Sequence, residues 1–282
     1  VGGGGERILV VSMYEIDGVE LDDPAGRWVL ESGTQLPSWG EPRLTNVDLP
    51  HRYGVLPIPA TVAGVGSVVL RFRVFSWSDG GISRCKGTLA DLDANVRALM
   101  GMLFVVGRLP VLGFTPAGGS ARVAEVRLRG AVEPEFDPGS MTAALTVTFE
   151  VPGGVWRDPQ PVTLPLANLG QLAGGGAPIQ DAVLLLAPSG VEMVVRDVVS
   201  GSSLTWRGAG ALASDERVLV DVERYSAVRQ KSTGWVVLEG AVDVSAQISM
   251  SAGGFRLTPD TGGVVSLQVS GGSGYVKARR AY

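Results

Sequence analysis

The sequence predicts a mainly β protein of two domains, with one α-helix in the first domain and strands alone in the second. Three observations support this prediction. Glycine and proline account for 40 and 17 of the 282 residues, which is typical of short strands joined by tight turns. Apolar and polar residues alternate in several stretches, and one stretch has helical periodicity. Apolar residues make up 45% of the chain and charged residues 18%, which is the composition of a folded protein.

The first domain is predicted over residues 13–157 and follows a glycine-rich stretch at 1–12 that we expect to be a flexible arm. Residues 13–21 predict two strands joined by an Asp-Gly dipeptide, which is typical of hairpin turns. Residues 22–66 are rich in proline and glycine, which indicates long loops with short strands.

Two stretches of the first domain, residues 67–76 and 124–132, alternate between apolar and polar side chains. A period of two with one apolar face predicts strands that are buried on one side. Residues 145–151 have an apolar face of the same kind. The polar faces of the first two strands carry Arg71, Arg73, Glu125, Arg127 and Arg129.

The one predicted helix covers residues 88–104. Thr88 can cap its first turn, and Asp91 lies three residues later, as in a capping box. An apolar stripe at helical spacing predicts that one face packs on a sheet. The stripe consists of Leu89, Leu92, Val96, Leu99 and Leu103.

A seam at residues 147–165 separates the two domains, and we interpret 158–178 as a linker because Gly and Pro interrupt it. In the second domain, over 179–282, strands recur every 8–12 residues between turn signals, which predicts a β-sandwich or jelly roll. The C-terminal YVKARRAY is either the last strand or a docked arm. The strands are expected at 182–187, 192–198, 204–207, 217–223, 235–239, 255–258, 264–269 and 275–279.

Nothing in the sequence predicts a catalytic or metal site, so we expect no enzyme activity and no cofactor. His51 and Cys85 are the single histidine and cysteine, which argues against a zinc site and excludes an intrachain disulfide. His51 lies in a Pro-rich loop without a matching nucleophile motif. A carboxylate pair for sugar hydrolysis stays open, and its candidates are Asp215, Glu216, Asp221 and Glu223.

Tryptophan is the remaining group of interest, because exposed indoles on a sandwich can stack on sugars. They serve equally as core or interface anchors, and we favour the second interpretation. The net charge is −4, which gives no support to sequence-specific nucleic-acid binding, and no apolar stretch is long enough for a membrane span. The six tryptophans are Trp28, Trp39, Trp77, Trp156, Trp206 and Trp235.

From about residue 13 to its end, the chain resembles the distal tail proteins of siphophages. The resemblance rests on EIDGVEL, the Gly/Pro-rich region after it, VVLRFRVF, LADLDANVRALMGML and the GVWRD of residues 154–158. It implies a first domain that is β-barrel-like with one helix, and a galectin-like β-sandwich as the second. It also implies no catalytic residues. Some relatives carry inserted carbohydrate-binding modules, but this chain has no large insertion in its second half.

The resemblance further implies that the first domains form a closed ring of six at the tail tip, with assembly in the host cytoplasm. The implied partners are the tail tube protein, a tail-tip hub or tail-associated protein, the tape measure protein and receptor-binding proteins. Closing a ring also covers strand edges that would otherwise be exposed. We expect one polar strand face to contact a neighbouring subunit or to line the lumen. The candidate interface residues are Arg71, Arg73, Arg127, Arg129 and Trp156.

Two other functions stay open at this stage. The second domain could belong to a stand-alone carbohydrate-binding module, although the first domain would then have no evident purpose. The chain could also be a tube or hub subunit of the same tail. Tube subunits are usually single barrels, whereas this chain devotes about a hundred residues to a further sandwich.

Overall fold

The computed structural model describes residues 13–38, 40–41, 45–48, 55–58, 64–77, 87–210 and 212–282. The predicted arm at 1–12, His51 and Cys85 therefore lie outside the described residues. The chain divides into two units, Val1–Trp156 and Arg157–Tyr282. Both units consist mainly of strands, and the described part of the chain contains one α-helix, which confirms the predicted fold class.

The first unit contains two main antiparallel sheets. One has the strand order β2-β1-β7-β8, and the other has the order β10-β11-β6-β3, with β9 pairing beside it on β11. Strands β4 and β5 form a separate pair. The elements are β1 (Tyr14–Ile16), β2 (Val19–Glu20), β3 (Trp28–Leu30), β4 (Thr45–Asp48), β5 (Val55–Ile58), β6 (Gly66–Phe75), α1 (Leu89–Leu103), β7 (Val111–Phe114), β8 (Arg122–Glu125), β9 (Arg127–Leu128), β10 (Glu135–Asp137) and β11 (Thr142–Val151).

The predicted hairpin is confirmed by the pairing of β1 with β2. Asp17 and Gly18 have φ angles of 50° and 80°, the left-handed values that a tight hairpin turn requires at both central positions. The Asp17 carboxylate accepts two hydrogen bonds from Arg108, at 3.0 and 2.7 Å, and one from the backbone N–H of Val111 at 3.0 Å. These bonds fix the turn against the beginning of β7.

The longest pairing in the molecule joins β6 to β11 over ten residues, from Gly66 opposite Val151 to Phe75 opposite Thr142. Both strands alternate between buried and less buried positions, as the sequence predicts. Their inward side chains are each at most 2% exposed and form the core of the unit. These side chains are Val68, Leu70, Phe72, Val74, Leu145, Val147, Phe149 and Val151.

The helix packs against this sheet and has the predicted capping box. Thr88 Oγ1 accepts the N–H of Asp91 at 3.3 Å, and the Asp91 carboxylate accepts the N–H of Thr88 at 2.7 Å. One predicted stripe residue, Leu89, is 56% exposed, because it lies at the first helical position. Asn95 is buried instead, and its amide donates to the carbonyls of Phe75 and Trp77 at 2.8 and 2.9 Å. A polar residue thus fixes the end of β6 to the helix.

The sequence predicts one continuous strand at 124–132, but the structure shows two. The stretch is divided between β8 in the four-stranded sheet and β9 beside β11 in the other sheet. Between them, Val126 is buried and donates its N–H to the Pro110 carbonyl at 2.9 Å. A chain that changes sheets in this way makes a corner between them, which fits a barrel-like unit.

The second unit is a β-sandwich of two antiparallel sheets with the orders β12-β21-β13-β16-β17-β18 and β19-β15-β14-β20. The inward positions of the two sheets include Leu184, Val220, Val195 and Trp206, each at most 1% exposed. The strands are β12 (Val162–Pro165), β13 (Val183–Pro188), β14 (Glu192–Asp197), β15 (Ser203–Arg207), β16 (Arg217–Asp221), β17 (Ser226–Gln230), β18 (Val242–Asp243), β19 (Ile248–Met250), β20 (Leu267–Ser270) and β21 (Gly272–Ala278).

Two expectations for this half need correction, and one open alternative is resolved. Residues 158–178 are not a linker, because β12 lies inside them and pairs along β21. The predicted strand at 235–239 is a loop, and 255–258 contributes a single bridge between Leu257 and Ile179. The C-terminal residues both complete β21 and dock beyond it, since Ala281 bridges to Arg157 and Ala177. The partners of β12 and of Ala281 are distant in sequence, so local pattern does not reveal them.

Candidate subunit interface

The four predicted interface arginines lie on one face of the β10-β11-β6-β3 sheet. On β6, Arg71 is opposite Thr146 and Arg73 is opposite Ala144. On β9, Arg127 is opposite Glu150, and the N–H of Arg129 donates to the Thr148 carbonyl at 2.8 Å. Residues directly opposite in an antiparallel pair project to the same side. The even-numbered positions of β11 therefore place both arginine pairs on the outer surface, which we call the arginine face.

Two of these arginines are paired with acids that the sequence analysis did not identify. Arg73 Nε lies 2.7 Å from a Glu31 carboxylate oxygen, and Arg127 is ion-paired across the strands with Glu150. The hydrogen bond from Arg127 lowers the pKa of Glu150, and the same bond raises the pKa of Arg127. Glu150 occupies a polar position of the alternating 145–151 stretch, so the pattern predicts that it lies on the polar face of its strand. Glu31 lies in a loop, where no pattern identifies its neighbours.

The other two arginines, Arg71 and Arg129, are exposed and form no ion pair within the described part of the chain. Glu135 and Asp137 of β10 are opposite Ala144 and Thr142, so these acids project to the same face. Arg71 and Arg129 therefore lie on this face outside the ion pairs of the described residues, although the charge of Arg129 helps to lower the pKa of Glu150. The acidic groups of β10 lie toward one edge of the same face. A surface of mixed sign suits contact with a complementary protein surface.

The edges of this sheet differ in how far they are covered. Beside β3, the segment after it continues along β6: the N–H of Gln35 donates to the Val69 carbonyl at 2.8 Å, and the Gln35 side chain accepts the Val69 N–H at 3.3 Å. On the opposite side, β10 pairs with β11 and with no further strand among those described. All three β10 residues are exposed. Such an edge is a site for pairing with another chain unless it is covered.

Trp156, predicted as an interface residue, belongs to the core instead. Its side chain is 2% exposed, and its ring packs edge-on against Phe114 with the centroids 6.5 Å apart. A side chain with so little exposure offers no surface to another subunit. Of the other tryptophans, Trp28 and Trp206 are also buried, Trp77 stacks on Phe75 at 4.4 Å, Trp235 is half-buried, and Trp39 lies outside the described residues.

The candidate carboxylates for sugar hydrolysis do not form an isolated pair. Asp215 lies 3.4 Å from Lys231, Glu216 accepts the N–H of Ala213 at 3.1 Å, and Asp221 accepts the N–H of Arg224 at 3.0 Å. Each of these three carboxylates has a local partner on a turn or strand end. The fourth candidate, Glu223, is exposed. Within the described residues, no three His, Cys, Asp or Glu side chains cluster as metal ligands. In the same part of the chain, no helix has the length and apolar character needed to span a membrane.

The fold of this chain is similar to that of a protein whose structure has been solved. No protein-family model and no curated protein matches the sequence. Among solved structures, the chain is similar to the SPP1 Dit (gp 19.1) protein, with a TM-score of 0.60 and 14% sequence identity. The likeness covers 96% of this chain and 98% of the SPP1 protein. That crystal structure is titled a paradigm of the hub adsorption apparatus in phages that infect Gram-positive bacteria. At this identity the comparison shows that the two proteins share a fold.

Proposed function

We propose that this chain is a structural protein of a bacteriophage tail tip, of the distal tail type. The observation that carries the proposal is the likeness to SPP1 Dit over nearly the full length of both chains. A chance likeness to one common β-sandwich would cover one unit, whereas this one covers 96% of a chain with two different units. In this role the protein has no catalytic function and acts through its surfaces.

In the proposed assembly, six copies of the first unit form a closed ring around the tail axis. The ring joins the tail tube protein on one side to the tail-tip hub or tail-associated protein on the other, with the tape measure protein as a further neighbour. The second unit decorates the ring and offers a place for receptor-binding proteins. The ring assembles in the host cytoplasm and becomes part of the virion. A head-to-tail contact that repeats until the ring closes uses both contact surfaces of every copy.

We assign the arginine face and the adjacent β10 edge to the contact between neighbouring copies. Arg71 forms no ion pair within the described residues and can bind an acidic group of a neighbouring copy, and a face with both signs is a poor lining for a channel that conducts DNA. The exposed β10 edge can accept a strand or loop of the next copy. Charge pairing at the edge of such a contact favours correct register more than it adds affinity.

The tail-tip position can be tested on phage particles that contain this protein. Antibodies raised against the purified second unit, or a peptide tag placed after Tyr282, would be located by gold labelling and electron microscopy. The proposal predicts label at the tail end distal to the capsid. Label along the whole tail would support a tube subunit instead, and a protein absent from purified particles would contradict a virion role altogether.

A further inference from the structure

The second unit has a cavity at one end of its six-stranded sheet whose lining combines an indole with charged side chains. Its volume is about 270 Å³. Val183 and Lys277 face each other across β13 and β21 on its floor. The residues that line it include Pro161, Asp181, Val183, Trp235, Lys277 and Arg279. None of them has a part in the ring contact proposed above.

One carboxylate at the cavity, that of Asp181, binds two arginines. Asp181 Oδ2 accepts a hydrogen bond from Arg279 at 2.7 Å and lies 3.3 Å from Arg157 Nε. The Asp181 side chain is 10% exposed, and its Oδ1 has no hydrogen-bond partner among the described residues. Lys277 forms no ion pair in the same part of the chain. Lys277 and Arg279 against one carboxylate leave the lining of the cavity with a net positive charge.

The indole wall is positioned by a buried amide. Gln230, 4% exposed, donates from Nε2 to the carbonyls of Gly234 and Val236, at 3.4 and 3.2 Å. Its Oε1 accepts the N–H of Leu238 at 3.0 Å. The backbone on both sides of Trp235 is therefore fixed by the same side chain, which lowers the ordering cost of binding at the half-buried indole.

We propose that this cavity binds a saccharide unit that carries a negative charge. The apolar C–H face of a sugar ring packs on an indole, and Lys277 with Arg279 supplies charge-assisted donors for a carboxylate or phosphate group. The volume, at the lower end of ligand sites, suits one charged sugar ring better than a complete nucleotide. Such a site would allow the second unit to bind an acidic polysaccharide surface directly.

Saturation-transfer NMR on the full chain tests the proposal with four probes: glucuronic acid, glucose 6-phosphate, glucose and AMP. Transfer to the ring protons of the two charged sugars is expected, with glucose at least tenfold weaker. Trp235→Ala should abolish the signal, and Lys277→Gln should weaken binding at least tenfold. Lys231→Gln, on the same loop but paired with Asp215, and Tyr275→Ala, outside this cavity, should bind like the unchanged protein.

Several results would overturn the inference. These are no transfer to either charged sugar, equal binding of glucose, stronger binding of AMP, or binding that survives both cavity substitutions. If inorganic phosphate competes as well as glucose 6-phosphate, the cavity is a general anion site and the saccharide proposal is wrong. Circular dichroism checks that Trp235→Ala is folded, and Lys277→Gln keeps the test informative if it is not. Because the probes need no ring, a negative result here leaves the tail-tip proposal untouched.

Discussion

Arg280 and Asp158, 122 residues apart in the sequence, form a two-point ion pair that joins the end of the second unit to its beginning. Arg280 Nε lies 2.6 Å from one carboxylate oxygen, and Nη2 lies 3.3 Å from the other. The hydroxyl of Tyr282 donates to the same carboxylate at 2.8 Å, and the N–H of Asp158 donates to the Arg280 carbonyl at 3.1 Å. The hydrogen bond to Asp158 raises the pKa of Arg280, so the guanidinium stays charged throughout the physiological range.

Substitution of Arg280 should destabilise the second unit. Arg280→Gln removes the charge that faces a largely buried carboxylate, and the expected loss is about 1.5–3 kcal/mol. Arg280→Lys keeps the charge but loses the planar two-point contact, so its loss should be smaller. Hydrogen exchange of peptides from β12 and β21, measured in the full chain, reports the change. Arg224→Gln, at a side chain that is 81% exposed, is the control and should leave exchange unchanged; equal effects of the two would contradict the role of the pair.

Substitution of Asn95 should loosen the helix from β6. Asn95→Ala leaves the carbonyls of Phe75 and Trp77 without this donor, at an expected cost of about 1–3 kcal/mol. Asn95→Asp should cost more at neutral pH, because it places a carboxylate against two carbonyl oxygens. Urea denaturation followed by tryptophan fluorescence measures the loss. Arg97→Ala on the exposed side of the helix should change stability by less than about 0.5 kcal/mol, and a similar loss from both alanine variants would contradict the prediction.

The Asp17 turn should contribute stability that depends on pH. The hydrogen bond from Arg108, followed by that from the Val111 N–H, lowers the pKa of Asp17 below its ordinary value of 3.8 despite some burial. A group with a lowered folded-state pKa stabilises the fold fully above its unfolded value, and the contribution disappears as the pH falls through the folded value. Asp17→Asn keeps a residue that tolerates positive φ and removes the charge.

At neutral pH, Asp17→Asn should therefore be less stable by about 0.5–1 kcal/mol, since Arg108 is more than half exposed. Below the lowered pKa, the unchanged protein and the variant should have the same stability. Denaturation at a series of pH values tests this difference. Two stability curves that stay parallel down to strongly acidic pH would show that the ion pair contributes nothing.

Charge reversal on the arginine face should block ring assembly. Arg71→Glu is the most informative change, because this side chain has no ion pair within the described residues that the substitution would break. Arg129→Glu is added to it, although this change also removes a charge that acts on Glu150. Arg73→Glu is less suitable, since it would also place two acids together at Glu31. Arg224→Glu, exposed on the second unit, is the matched control. The double variant should remain a folded monomer by light scattering, whereas assembly that equals the control would remove this face from the interface.

The parts of the fold that local pattern determines were predictable. Period two identified β6 and β11, and Thr88 with Asp91 marked the beginning of the helix. Contacts between distant residues were not predictable, because they depend on strand order and register. The arginine face is an example: the sequence shows two separate arginine pairs, and the pairing of β9 and β6 with β11 places them together. Trp156 is another, since its environment includes Phe114, 42 residues earlier.

The same limit applies to the cavity of the second unit. Residues 235–239 look like a strand because Trp and Val favour strands. The structure shows a loop there, because the buried amide of Gln230 binds the backbone that a strand partner would otherwise use. No local pattern indicates that Trp235 and Lys277 line one cavity.

The central claim is that the first units assemble into a closed ring, and the mass of the purified full chain in solution tests it most directly. Light scattering would be measured over a range of concentrations, alone and after addition of the tail tube protein, with negative-stain images of the same samples. We predict a particle of six copies that appears as a closed six-fold ring in one or both samples. A monomer at every concentration, with the tube protein present as well as absent, would contradict the account.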